Sequence, residues 1–308
     1  MPRFSYADGD NLALAIGAVV FTVFALSLGD ALIKQVSASF PLWQIFVLRS
    51  VLAIPVLLFA FKLNKQPIRF LRSSAGWVVV RSLMLTFMWV AYYSALPHVE
   101  LSVAAAVYYT LPLFITLFAA LFIGEKVGVQ GTIAVCLGFL GILLILKPSA
   151  ESFNSYALLP LVSSILYALA MILTRTKCKE DHPLSLSLAL NISFIIIGLA
   201  ATLLAYAFPP AAETVSQYAF LLGPWIAMGG QEWLAMGLLA VAILIGSVGA
   251  AIAYQAGPAS VVSTFDFAYL AFAALWGFLF FAEVPDLITG GGIALIAVAG
   301  ILAVRRQT

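Results

Sequence analysis

Stretches of about 20 consecutive, mostly apolar residues recur from one end of this chain to the other, and that repetition leaves few folds open. They cover 12–33, 42–61, 74–96, 101–123, 129–146, 155–174, 184–206, 234–255, 259–281 and 287–304. A helix of that length crosses a hydrocarbon core of about 30 Å. Of the 308 residues 64% are hydrophobic and only 9% charged, too few charges to cover a water-soluble surface. No long polar and apolar alternation suggests a barrel, so each spanning backbone must bond to itself as a helix. The expectation is an all-α polytopic membrane protein with ten transmembrane helices. The first stretch, Leu12 to Ile33, has no basic run before it and no small-residue cleavage site after it, so it reads as a retained span. Cys136 falls in the fifth span and Cys178 in the loop after the sixth, and no disulfide is expected.

Assigning the loops alternately to two sides sorts the basic residues sharply. Arg3, Lys62, Lys65, Arg69, Arg72, Lys126, Arg175, Lys177, Lys179, Arg305 and Arg306 share one side, and only Lys34 and Lys147 lie on the other. Basic loops stay cytoplasmic. Both termini are therefore expected in the cytoplasm, with the Lys- and Arg-free segment 207–233 outside.

The two halves repeat each other. Ser102-Val103-Ala104-Ala105, Gly124-Glu125-Lys126, Gln130-Gly131 and Gly138-Phe139-Leu140-Gly141 reappear as Ser260-Val261-Val262-Ser263, Ala282-Glu283-Val284, Thr289-Gly290 and Ala297-Val298-Ala299-Gly300. A similar register sets Pro41 opposite Pro183 and Arg49 opposite Asn191. Five spans per half is an odd number, so the second copy enters the membrane upside down. Inverted repeats suit a site near the midplane that opens to either face in turn. The expected units are 12–147 and 155–304. The small residues of the fifth and tenth spans, Gly138/Gly141 and Ala297/Gly300, suggest that these two helices pack together away from the solute path.

Lys34 followed by Pro41 and Arg49, the run Ala91-Tyr92-Tyr93-Ser94-Ala95-Leu96, Pro112, and the two glutamate-bearing helix ends with their following glycines resemble the drug/metabolite transporter superfamily, in its ten-helix group with two EamA repeats. The resemblance covers about 12–304, and within the group the chain looks like the bacterial amino-acid exporters of the YddG kind. It implies a protein of the bacterial inner membrane that exports amino acids and related small metabolites by alternating access. The chain departs from a symmetric repeat in placing Leu270 opposite Pro112 and Asp266 opposite Tyr108.

Ionisable residues inside spans are costly unless paired, solvated or functional. A hairpin turning near Ser39 brings Asp30, Lys34 and Arg49 within about two helical turns, either as a structural ion cluster or as a site for the two charges of a zwitterion. Arg81 is shallow enough for its long side chain to snorkel to headgroups. Asp266 is as deep but shorter, which suits a substrate amine or a coupling proton, or else a structural hydrogen bond. Trp89, Tyr92 and Tyr93 share one helical face; with Tyr108, Tyr109, Tyr167 and Tyr254 they either pack the core or surround a cavity whose flat apolar walls carry hydroxyls. Pro112 cannot donate to the carbonyl of Tyr108 and should break the fourth span there. Glu125 and Glu283, at helix ends, read as caps of the helices that follow.

The candidate solute path is thus Asp30, Arg49, Trp89, Tyr92, Tyr93, Tyr108, Tyr109, Pro112, Tyr167, Asn191, Tyr254 and Asp266. An enzyme is disfavoured: the two histidines, His98 and His182, sit in loops on opposite sides, and no hydrolase, metalloprotease or nucleotide-binding motif occurs. Carriage of another metabolite or drug in either direction, and a facilitative channel, remain open. Nothing calls for a cofactor, metal or nucleic acid; the partners expected are a small-molecule substrate and membrane lipid, around a monomer.

Overall fold

The structure is a computed structural model that describes residues 11–36, 40–65, 74–123, 154–257, 259, 262, 265–266, 268–284 and 286–304, with scattered positions between 133 and 144. Its helices are α1 (Leu12–Val36), α2 (Leu42–Leu63), α3 (Ala75–Ala95), α4 (Leu101–Tyr108), α5 (Leu111–Phe118), α6 (Leu159–Thr176), α7 (Pro183–Ala207), α8 (Ala212–Gln217), α9 (Ala219–Leu222), α10 (Gly230–Ala256), α11 (Ala268–Phe281) and α12 (Leu287–Val304). No strand occurs among the described residues. Seven helical stretches among them are long and apolar enough to cross a membrane, and α11 and α12 add two shorter apolar helices. The expected span 129–146 lies largely outside the described residues, and with it the pairing of the fifth and tenth spans.

Prolines mark several helix starts where the sequence places them. Pro41 precedes α2, Pro160 lies in the first turn of α6, and Pro183 opens α7. At N1 the missing amide N–H costs nothing, because that group has no intrahelical partner. Pro112 acts in the same way, as the first turn of α5 rather than as a mid-helix kink. The fourth span is accordingly two helices, with Tyr109 and Thr110 at the break.

Small residues set the closest helix approaches. A Cβ on Gly249 of α10 would lie 2.0 Å from Thr22 Oγ1 of α1, and one on Gly246 2.3 Å from Leu26 Cδ2. On α7, a Cβ on Gly198 would meet Val47 Cγ2 at 2.8 Å and the Trp43 carbonyl at 3.2 Å. Without a hydrophobic drive between helices in lipid, such backbone proximity supplies the dispersion contact that holds them. α1 packs on α10 and α11, α3 on α6 and α7, α2 on α7 and α10, α6 also on α4 and α5, and α11 on α4. Large apolar side chains such as Phe59, Leu121, Leu203 and Phe278 point outward. Water would penalise that surface, whereas lipid accepts it.

The segment after α7 folds over the start of α2. Gln44 Nε2 donates to the Ile226 carbonyl at 2.7 Å while the Ile226 amide donates to Gln44 Oε1 at 2.9 Å, and Trp43 Nε1 donates to the Leu221 carbonyl at 2.7 Å.

Candidate functional site

The bundle core holds a run of aromatic rings between two aspartates. Trp89, Tyr92 and Tyr93 of α3 are buried together, with Trp89 and Tyr93 ring centroids 4.8 Å apart. From Tyr92 the contacts continue to Tyr108 at 5.0 Å, from Tyr108 to Tyr167 at 5.9 Å, and from Tyr167 to Tyr254 at 6.3 Å. Tyr109 stacks on Tyr269 at 4.5 Å. Side chains from both halves of the chain therefore share one column, because α3 lies on α6 and α4 on α11.

Each end of the column carries one aspartate clasped by a tyrosine. Asp30 Oδ2 accepts from the Tyr269 hydroxyl, which also lies 3.0 Å from the Tyr92 hydroxyl. Asp266 Oδ2 accepts from the Tyr254 hydroxyl at 2.5 Å. Arg49 is close enough to Asp30 to act on it electrostatically. Its guanidinium lies over the rings of Phe194 at 4.6 Å, Phe46 at 4.7 Å and Tyr93 at 5.6 Å, and Nη1 reaches the Tyr93 hydroxyl at 3.4 Å. Ring faces can hold a desolvated guanidinium, yet they leave its N–H groups unmet. Arg49 Nε and Nη2, like Asp30 Oδ1, are buried with no hydrogen-bond partner among the described residues.

Three expectations are corrected here. Lys34 does not join Asp30 and Arg49: Lys34 Nζ pairs with Glu283 at 2.6 Å and donates to the Val99 carbonyl at 2.7 Å. A carboxylate at the end of α11 is nearer than Asp30, one turn back on α1. Glu283 in turn caps α4, not the helix after it, by accepting the Leu101 amide at 2.9 Å. Its approach depends on Ala282, at φ 54, which turns the chain back at the end of α11. Arg81 does not snorkel. It is 1% exposed and donates from Nε to Thr174 Oγ1 at 2.6 Å, because its face of α3 meets α6 and not lipid.

Asn191 lies apart from the column's bonds, donating to the carbonyl of Ser187 one turn back on α7, with Oδ1 buried and unpartnered among the described residues. At the break before Pro112, Thr110 Oγ1 bonds the Val107 carbonyl at 2.8 Å and lies 3.1 Å from Ser164 Oγ of α6. Sequence reasoning missed Tyr269, Phe46 and Phe194. Tyr269 had a signal, three positions after Asp266 and so on its helical face; the two phenylalanines had none among 23 in the chain. Outside the bundle, burial holds both histidines below the usual imidazole range: His98, stacked on Tyr156 at 3.9 Å, and His182, which caps α7 by accepting the Leu184 amide at 3.2 Å. No cluster of three metal-ligating side chains occurs among the described residues.

Comparison with known proteins bears on this architecture. Residues 13–147 match the EamA-like transporter family. The pseudopaline exporter of Pseudomonas aeruginosa is 29% identical over 97% of this chain and 98% of its own length. The chain belongs to the EamA-like transporter family. A riboflavin transporter of Rhizobium johnstonii is 30% identical over 71% of this chain and 66% of its own length, and an S-adenosylmethionine uptake transporter of Rickettsia felis is 24% identical over 94% and 92%. One crystal structure shares the fold, with a TM-score of 0.65 and 18% identity over 96% of this chain and 98% of the other. EamA-family members are transporters and not enzymes, so this is a multi-pass membrane protein that transports a small molecule.

Proposed function

We propose that this EamA-family protein is a carrier of the bacterial cytoplasmic membrane that exports amino acids and related zwitterionic metabolites by alternating access, as the amino-acid exporters of the YddG kind do. The carrying observation is the pair Asp30 and Arg49: groups of unlike charge buried within electrostatic reach of each other, each with polar atoms that no described residue satisfies. Leaving such groups unmet is costly in the protein interior. An amino acid brings an ammonium for Asp30 Oδ1 and a carboxylate for the Arg49 Nε and Nη2 pair. Its variable side chain then lies on tyrosine faces, which take apolar and polar groups without a dedicated pocket.

Ten spans in two inverted units, 12–147 and 155–304, are part of this reading, and the helix contacts support it. Numbering the expected spans and exchanging each with the one five places on, the packing of α1 with α10 becomes that of α6 with α3. The pair α1 and α11 becomes α6 and α4, and α2 with α10 becomes α7 with α3. The pairs α2–α7 and α4–α11 map onto themselves. That exchange is what two inverted copies around a central site require. Export is supported by the exporter matched along almost the whole chain, and cytoplasmic termini by the eleven-to-two division of loop basic residues.

The test is counterflow of a panel of labelled amino acids in proteoliposomes, with and without a pH gradient, for the wild type and for Asp30→Asn and Arg49→Gln. Saturable exchange that drops at least tenfold in both variants supports the reading. A folded wild type that exchanges no amino acid in the panel sinks it.

A further inference from the structure

Of the 15 Lys and Arg residues, only Arg49 and Arg81 fall inside the expected spans. Arg81 repeats the predicament of Arg49 at the other end of the aromatic column. It is 1% exposed, Nη1 is buried with no hydrogen-bond partner among the described residues, and none of them forms an ion pair with it. The partner of Nε is a neutral hydroxyl, Thr174 Oγ1, which gives its own proton to the Ala170 carbonyl at 2.8 Å. A structural tether between α3 and α6 needs no fixed charge there, since an apolar side chain of similar volume packs at lower cost. A guanidinium with an open N–H suits a site that an anion visits.

Arg81 lies within electrostatic reach of Tyr167 and of Cys178 and Asp181 after α6. Tyr167 lies within electrostatic reach of both Arg81 and Asp266. Its ring contacts Tyr108 on one side and Tyr254 on the other, and Tyr254 holds Asp266. Arg81 and Tyr93 share α3, and their separation amounts to about 18 Å along its axis. Tyr93 marks the level of Arg49. The ammonium and carboxylate of an amino acid are only a few bonds apart, so one molecule cannot bridge the two arginines.

We infer that Arg81 forms a second substrate station, which takes the substrate's carboxylate at the end of the bundle where α3 begins. The station rests on the carrier reading above. Substrate passes between it and the Asp30–Arg49 pair along tyrosine rings. Each station offers an arginine with an unmet N–H.

The test compares an amino acid with its carboxamide, which keeps the ammonium and lacks the anion. In proteoliposomes one measures the KM of the acid and the inhibition constant of the amide for wild type, Arg81→Gln and Arg81→Lys, with melting in detergent as the folding control. The expected result for Arg81→Gln is a KM for the acid raised tenfold or more with the amide's constant within twofold of wild type, and substantial recovery of the acid in Arg81→Lys. Equal losses for acid and amide, or no change in either, overturn the station and leave Arg81 a structural tether. Should Arg81→Gln not fold, Arg81→Met, which also removes the charge, decides by the same ratio of acid to amide. A wild type that moves neither compound removes the carrier reading and the station with it, an outcome visible without any substitution.

Discussion

Tyr269 of α11 donates its hydroxyl to Asp30 of α1, joining two residues 239 positions apart in the chain at the heart of the bundle. The same hydroxyl meets Tyr92 of α3, so one oxygen links three helices. Tyr269→Phe keeps the ring on Tyr109 and removes only that link. We expect a loss of about 1–3 kcal/mol in stability, the usual cost of unmaking a buried hydrogen bond to a charged group, and a fall in transport of tenfold or more. Melting in detergent and counterflow check the two effects. Wild-type exchange from a folded variant would mean that the Tyr269 hydroxyl is not needed for transport.

The Lys34–Glu283 pair joins α1 to the end of α11, and the Leu101 amide brings α4 to the same carboxylate. The side chains are only 15% and 11% exposed, so the pair is more than a surface contact. A double-mutant cycle with Lys34→Met and Glu283→Gln should give a coupling of about 1–2 kcal/mol. Additive effects would show that the two charges stabilise the bundle independently.

Ala282 holds φ at 54, in the left-handed region that L side chains pay about 1–2 kcal/mol to enter. The Glu283 amide reaches back to the Gly277 carbonyl at 3.2 Å, closing the helix end that a glycine normally closes. Ala282→Gly should therefore raise stability, by about 0.5–1 kcal/mol once glycine's extra unfolded-state freedom is deducted. A lowered melting temperature would contradict this account of the turn.

His182 accepts the Leu184 amide through Nδ1, which only neutral imidazole can do, and burial also favours the neutral form. Its pKa is lowered in the folded state, so its contribution is present above the unfolded value of about 6.5 and is lost as pH falls through the folded value. His182→Asn, which caps without titrating, should flatten the acid side of the stability profile. An unchanged slope below about pH 6.5 would place the acid sensitivity elsewhere.

Topology is open to single-cysteine labelling. In a background lacking Cys136 and Cys178, Glu213→Cys, on an exposed turn of α8, should react with an impermeant maleimide in intact cells. Pro2→Cys should react only after permeabilisation. The reverse pattern would invert the proposed orientation.

The spans were legible because about 20 apolar residues have one economical use, and the break before Pro112 because a proline in the first turn leaves the preceding residues without a helical donor. Asp30, Arg49, Asp266 and the tyrosines of α3, α4, α6 and α10 stood out as ionisable or amphiphilic groups at depth. What escaped depended on rotation and partner choice. Nothing in the apolar sequence around Arg81 says that its face meets Thr174 and not headgroups. Lys34 had two acidic residues to choose from, and the winner lay at the far end of another helix, brought close by an unusual turn at Ala282. Tyr269 carried a signal in its spacing of three from Asp266, but its bond to Asp30 depends on how α1 and α11 pack.

The gap between α4 and α5 makes two levers of one rod. Thr110 is the knee, clipped to α6 through Ser164, while both arms rest against α6 and α12 and the upper one also against α11. In the alternating-access carrier proposed above, such a joint would let one mouth move while the opposite one stays shut.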